Sequence, residues 1–300
     1  MGIYKNQIGQ ISISLITLMI SLTLPISASE KHQKEATSKN TYKLGCWLDG
    51  TWIKPKYISS FDIVNLGMIG NINSTETGGG YNIENVKHPS FLNDDQTVLF
   101  TYGSSPDTTT PRTNRSAYPT TTMVSNLVAA VDNNSWAGID FDDEVNLNVI
   151  NIKDVMERVS KLKSNSIKGC SYTFIGGWIF SKNGKSSIRD NIEILHKSSF
   201  CERYILMCYS SRMWDNNTIH TFVPKGIKTA LKLIGNENAK KIFIACTTMG
   251  LNSDNLNIFL EYIQKYKIGG LFIWMPGDLT ESQMMQINTA FKLDRAKLRH

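Results

Sequence analysis

Residues 136–144 read Trp-Ala-Gly-Ile-Asp-Phe-Asp-Asp-Glu, and Asp140, Asp142 and Glu144 recur there at every second position. Side chains alternate faces along an extended strand. The three carboxyl groups therefore share one face, while Ile139 and Phe141 occupy the other. Crowding of like charges raises their pKa values, and burial adds to the effect. At least one of the three is expected to hold a proton near neutral pH. A neutral carboxylic acid beside ionised partners is what cleavage of an acetal bond requires. Two other uses of acids at a strand end are a divalent-cation site and a solvated acidic turn. The interleaved Ile and Phe speak against the turn, which has no need of period-two hydrophobes. Hard-cation sites usually draw their oxygens from several loops.

Such a strand needs neighbours. Strand-like runs lie at 42–48, 63–69, 98–102, 137–142, 170–176, 204–209, 242–247 and 270–275. Most are apolar throughout, as strands buried on both faces must be. Helical periodicity lies between them at 152–164, 188–197, 227–234 and 256–266. Thr280 and Gln283 have capping-box spacing ahead of a last helix. Alternation of this kind predicts an α/β fold, a single TIM (β/α)8 barrel. The competitor is a doubly wound open sheet, but no Gly-rich nucleotide fingerprint follows the first strand. On a barrel, functional groups sit at the C-terminal strand ends. Glu144, Tyr209, Met207, Trp274 and Trp47 all fall at or near such ends. Aromatic faces opposite a row of carboxyls suit a sugar ring, although each aromatic alone could equally be core.

The chain has 300 residues and a formal net charge of +6. Its lysines are scattered, which does not indicate nucleic-acid binding. Lys5, the apolar run 11–24 and the small residues 25–29 have the order of a secretory signal. A run of about fourteen residues is too short for a stable membrane-spanning helix, so cleavage is expected rather than an anchor. The expected organisation is a signal peptide at 1–28, a disordered leader at 29–40 and a catalytic domain at 41–298. The mature protein is then secreted, off the membrane and monomeric. Its five cysteines show no CxxC spacing. Cys46, Cys208 and Cys246 read as buried thiols, and Cys170 with Cys201 is a candidate disulfide. The histidines form no zinc pattern.

With these residues in view, the chain resembles glycoside hydrolase family 18, the chitinase and endo-β-N-acetylglucosaminidase family. The family pattern Asp-x-x-Asp-x-Asp-x-Glu is matched at Asp140, Asp142 and Glu144, with Gly138 also in place. The wording Gly-Ile-Asp-Phe-Asp-Asp-Glu is especially similar to the endo-β-N-acetylglucosaminidase branch. The stretch 42–47 resembles the first strand, with Trp47 at a sugar-lining position. Thr101-Tyr-Gly103-Ser104 sits where the family has Ser-x-Gly-Gly, Met207-Cys-Tyr209 matches Met-x-Tyr, and Gly269 to Trp274 matches the last strand. Three positions depart from the pattern: Ala137 for the first Asp, Ser210 for an Asp or Asn, and Ser105 for a chain-stacking Trp.

The resemblance implies a retaining, substrate-assisted mechanism, in which the acetamide of the sugar is the nucleophile. Glu144 is then the general acid and base, Asp142 orients the acetamide, Asp140 shares a proton with Asp142, and Tyr209 hydrogen-bonds the acetamide oxygen. Trp274, Trp47, Met207 and Gly103 bind the sugar. The partner is an N-acetylglucosamine-containing oligosaccharide or polysaccharide, and no metal or organic cofactor is needed. The competing class is a chitinase-like carbohydrate-binding protein without turnover. A cell-wall hydrolase is a third reading, which lacks the expected binding repeat. Only 250–268 separates the last two strands, too little for the α+β insertion of many chitinases. Longer excursions at 71–90 and 104–122 are candidate specificity loops. Asn73, Asn114, Asn133 and Asn216 sit in glycosylation sequons.

Overall fold

The apolar runs pair with one another in chain order. They form β1 (Lys43–Asp49), β2 (Ile63–Ile69), β3 (Thr97–Gly103), β4 (Ile139–Asp143), β5 (Cys170–Ile175), β6 (Cys201–Met207), β7 (Ile242–Thr247) and β8 (Gly270–Trp274). Every neighbouring pair is parallel, and β8 pairs back onto β1, so the sheet closes into an eight-stranded barrel. Closure excludes the open doubly wound sheet. The computed structural model describes residues 42–49, 53–69, 88–103, 118–164, 167–180 and 187–292, all within the compact unit Lys39–His300. The expected signal segment and leader, Ser104, Ser105, Asn73, Asn114 and most of both candidate specificity loops lie outside the described residues.

Among the described residues, α-helices follow the strands from β3 onward: α1 (Thr121–Asn133), α2 (Val149–Ser160), α3 (Ser187–Ser198), α4 (Asn216–Ile234), α5 (Ser253–Tyr266) and α6 (Glu281–Phe291). None of these is long and apolar enough to cross a membrane. The predicted capping box of α6 is present, with Thr280 and Gln283 bonding each other's backbone N–H. Only α5 stands between β7 and β8, so the barrel has no insertion domain there.

Two hydrophobic cores follow from strand alternation. Outward side chains such as Leu44, Phe100, Phe141, Phe174, Ile244 and Ile273 pack under the helices. Inward ones, among them Leu99, Ile205, Phe243 and Phe272, fill the barrel. The candidate disulfide does not form. Cys170 and Cys201 are register partners across β5 and β6, yet both are free, buried thiols, like the other three cysteines.

Candidate active site

Inward side chains of a barrel stack in layers, each layer taken from alternate strands. The register here puts Asn65, Asp140, Ile205 and Phe272 in one layer. Trp47, Thr101, Thr173 and Ala245 form the next, toward the C-terminal mouth, and Gly67, Asp142, Met207 and Trp274 the one above it. The acidic strand thus climbs through the barrel. Asp140 lies deepest, Asp142 lies at the layer of Trp274, and Glu144 follows the end of the strand.

Exposure follows this order. Asp140 is 0% exposed and Asp142 2%, whereas Glu144 is only half-buried. Asp140 is saturated with donors. Its Oδ2 accepts from Trp47 Nε1 at 2.8 Å and from Thr101 Oγ1 at 3.2 Å. Its Oδ1 accepts from Ser171 Oγ at 2.7 Å and from Thr173 Oγ1 at 2.8 Å. A carboxylate has about four lone-pair sites, so these donors leave none for a cation. Asp142 differs in kind. Its Oδ1 is buried without a hydrogen-bond partner among the described residues. Burial, and then the charges of Glu144, Asp140 and Asp143, hold its pKa well above the usual carboxylate range. One strand therefore carries a fixed acceptor, a proton-holding acid and an accessible acid in sequence.

Tyr209 lies two residues past β6, bridged to Met213. Burial, and then the charges of Asp142 and Glu144, push its phenol well above its ordinary pKa, so the hydroxyl keeps its proton beside the two acids. Trp274 ends β8 and is half-buried, leaving part of its surface at the mouth. Met207 is 5% exposed and walls the layer it shares with Asp142. Gly103 is the register partner of Asp142 at φ +113°, and an added Cβ would lie 2.3 Å from the Asp142 carbonyl oxygen. Only glycine permits that approach.

Trp47 does not occupy its expected place. It is 2% exposed, packs in a tilted contact with Phe272 inside the barrel, ring centroids 4.8 Å apart, and donates to Asp140. Packed so, it presents no face to a sugar and instead orients the acid. The reason is register: the side chain of residue 47 sits one layer below Asp142 and Trp274.

Five further residues of the site have no role assigned from the sequence. Thr101, Ser171 and Thr173 are donors to Asp140, and the signal common to all three is a polar side chain at an inward position of an apolar strand. Asn65 shares the Asp140 layer, is 0% exposed, and has no partner for either amide atom among the described residues. Asp143 points outward. It accepts from Tyr172 Oη at 2.6 Å and from the backbone N–H of Leu147 at 2.8 Å and Val145 at 3.3 Å. It therefore pins the loop that carries Glu144.

No protein-family model and no curated protein matches the chain in sequence. Solved structures do match in fold. A family 18 chitinase from Pseudoalteromonas aurantia is 17% identical with a TM-score of 0.58, covering 83% of this chain and 99% of that one. The spore cortex-lytic enzyme SleL of Bacillus megaterium is 10% identical with a TM-score of 0.60, covering 85% and 75% respectively. A fungal family 18 endo-β-N-acetylglucosaminidase is 14% identical with a TM-score of 0.50, covering 84% and 98%. The chain has the fold of glycoside hydrolase family 18 catalytic domains.

Proposed function

We propose that the protein is an exported glycoside hydrolase that cleaves β-1,4 bonds next to N-acetylglucosamine, with retention and with help from the substrate's own acetamide. The observation that carries this reading is the graded acid strand. Asp140, Asp142 and Glu144 rise in order along β4 and past its end, and Asp140 is consumed by four donors. β4 therefore offers one accessible acid, Glu144, and no second free carboxylate to act as a nucleophile of the two-carboxylate kind. A nucleophile supplied by the sugar resolves this. The acetamide oxygen attacks C1 as Glu144 gives its proton to the leaving oxygen, and Glu144 then takes a proton from the water that opens the ring intermediate. Asp142 holds its proton in the free protein and faces the acetamide N–H. Loss of that proton to solvent as the sugar binds would leave Asp142 as the counterion for the charge that develops at C1. Tyr209 keeps a hydroxyl to donate to the acetamide oxygen, and Trp274 offers a face to the ring.

Two of the structures that share the fold are named as a chitinase and an endo-β-N-acetylglucosaminidase, which supports an N-acetylglucosamine substrate. Soluble or branched glycans are favoured over crystalline chitin, since no insertion deepens the cleft between β7 and β8. The deciding experiment is Glu144→Gln on chitotetraose and on chitobiose-core N-glycans. Turnover should fall by about a hundred- to ten-thousand-fold, with folding and sugar binding kept. A variant retaining a tenth of wild-type turnover removes Glu144 from the role. Tight sugar binding by the wild type with no product at all would mean a carbohydrate-binding protein instead.

A further inference from the structure

An open groove of about 460 Å³ runs between the loop after β6 and the loop after β7. Two links join it to the mouth, and a third holds its two loops together. Met213, in its floor, bridges to Tyr209. The sulfur of Met213 accepts from the backbone N–H of Thr247 at 3.4 Å, at the end of β7. The backbone N–H of Met213 donates to the Met249 carbonyl at 2.8 Å, which ties the two loops together. These contacts set the groove next to Tyr209, on the side of a reacting ring placed at Tyr209 and Trp274.

The polar groups of the groove are unequally engaged. Asp215 caps α4, taking the backbone N–H of Thr218 at 3.0 Å and its hydroxyl at 2.6 Å. Asn252 caps α5 through the N–H groups of Asp254 and Asn255. Asn255 bonds the Asn252 N–H and the Gly250 carbonyl. Arg212 is different. It is exposed, and its guanidinium passes over Gly250, 3.7 Å from the point where a Cβ on that glycine would lie. It makes no ion pair among the described residues. Trp214 lines the same groove and is half-buried. A planar cation with a free fork, beside an indole, fits a pyranose that carries a carboxylate. The anion in the groove, Asp215, has both oxygens turned to Thr218.

We propose that this groove is a subsite for a carboxylate-bearing sugar next to the cleaved N-acetylglucosamine, with Arg212 as the residue that reads the acid. The proposal rests on the hydrolase reading above and narrows its substrate class. The carboxylate could belong to a 3-O-lactyl ether or to an oxidised C6, and both present the same fork-shaped acceptor.

The test measures binding by calorimetry to the Glu144→Gln protein, which prevents turnover. Three probes share a trisaccharide backbone: chitotriose, its analogue with a 3-O-lactyl group on one residue, and its analogue with one C6 oxidised to a carboxylate. At least one acidic probe should bind about tenfold tighter than chitotriose at low salt, and the one preferred identifies the source of the acid. Adding Arg212→Ala should bring all three probes within about twofold of one another, and Arg212→Lys should keep part of the preference. Chitotriose affinity should be the same in all these proteins. Chitotriose binding with no preference for either acid overturns the subsite and leaves the hydrolase reading standing. A preference that survives Arg212→Ala also overturns it. Failure of every probe to bind overturns both readings.

Discussion

The indole nitrogen of Trp47 donates to Asp140 across 2.8 Å inside the barrel, so a residue of the first strand orients the deepest acid of the fourth. Phe272 backs the indole at 4.8 Å, and all three side chains are buried. A hydrogen bond to a buried carboxylate contributes about 1.5–3 kcal/mol. Trp47→Phe removes the donor and keeps most of the ring. The urea midpoint should drop with an unchanged slope, corresponding to about 2 kcal/mol. Turnover should fall with KM nearly constant, because Trp47 is buried against Asp140 and Phe272. A rise in KM at constant kcat would show that the indole contacts substrate after all.

Asp142 makes stability depend on pH. In the folded protein its pKa stands well above the ordinary 3.8, chiefly through burial and then through Glu144. The native state therefore binds more protons than the unfolded chain at pH values between the two pKa values. Stability from this group is complete below the unfolded pKa and is lost as pH rises through the folded one. Asp142→Asn carries no titratable proton. Its melting temperature should exceed that of wild type near pH 7, and the gap should close as the pH is lowered toward about 4. Calorimetry of both proteins across that range checks the slope, since groups common to both cancel in the difference. Turnover of the variant should still fall, because an amide cannot become the counterion. A constant difference in melting temperature at all pH values would show that Asp142 does not titrate in this way.

Much of the scaffold was legible because barrel strands must be apolar on both faces. Runs 63–69 and 242–247 match β2 and β7 to the residue. The start of β6 was hidden by Glu202 and Arg203, whose charges interrupt the run. Arg203 is nevertheless buried, giving its guanidinium to the carbonyls of Lys168 and Gly169. The first half of α4 was hidden by Pro224 and by the polar stretch 216–221, and α1 by the β-branched threonines at its start. Within the site, the period-two acids were legible and their depths were not. Depth depends on strand register around a closed sheet, which brings positions 47, 101, 171 and 173 onto one carboxylate. No local pattern encodes that convergence. An aromatic near a strand end looks the same whether it faces sugar, as Trp274 can, or an acid below, as Trp47 does.

Gly103 tests how tightly the acid strand is held from the side. It sits at φ +113°, and any side chain there would begin 2.3 Å from the carbonyl oxygen of Asp142. Backbone cannot yield as a flexible side chain can. Gly103→Ala should therefore shift the β3 and β4 tips apart and lower stability by about 1–3 kcal/mol. It should also reduce turnover more than Ala substitution at Gly177, where an added Cβ meets nothing within 4 Å. Thermal melts and initial rates on a chitooligosaccharide compare the two directly. Equal behaviour of the two variants would mean that the strand tips are not held by this contact.

Asp143 should behave as the opposite of its neighbour. Asp142 is buried with an oxygen unpartnered among the described residues, and its removal is expected to stabilise the fold at neutral pH. Asp143 gathers Tyr172, Leu147 and Val145 onto its carboxylate, and Asn191 in turn donates to the Tyr172 hydroxyl at 2.9 Å. Asp143→Ala strands a buried phenol and a backbone N–H, each at about 1–3 kcal/mol. The net loss should be about 3 kcal/mol, read as a lower urea midpoint at neutral pH. Glu144 lies between Asp143 and the two N–H groups it holds, so the same change loosens the proposed acid. Turnover should fall well below the unfolding transition, and Tyr172→Phe, which removes one donor and leaves the loop pinned, should lower stability less and keep most activity. Full activity in Asp143→Ala would show that Glu144 is positioned without this loop.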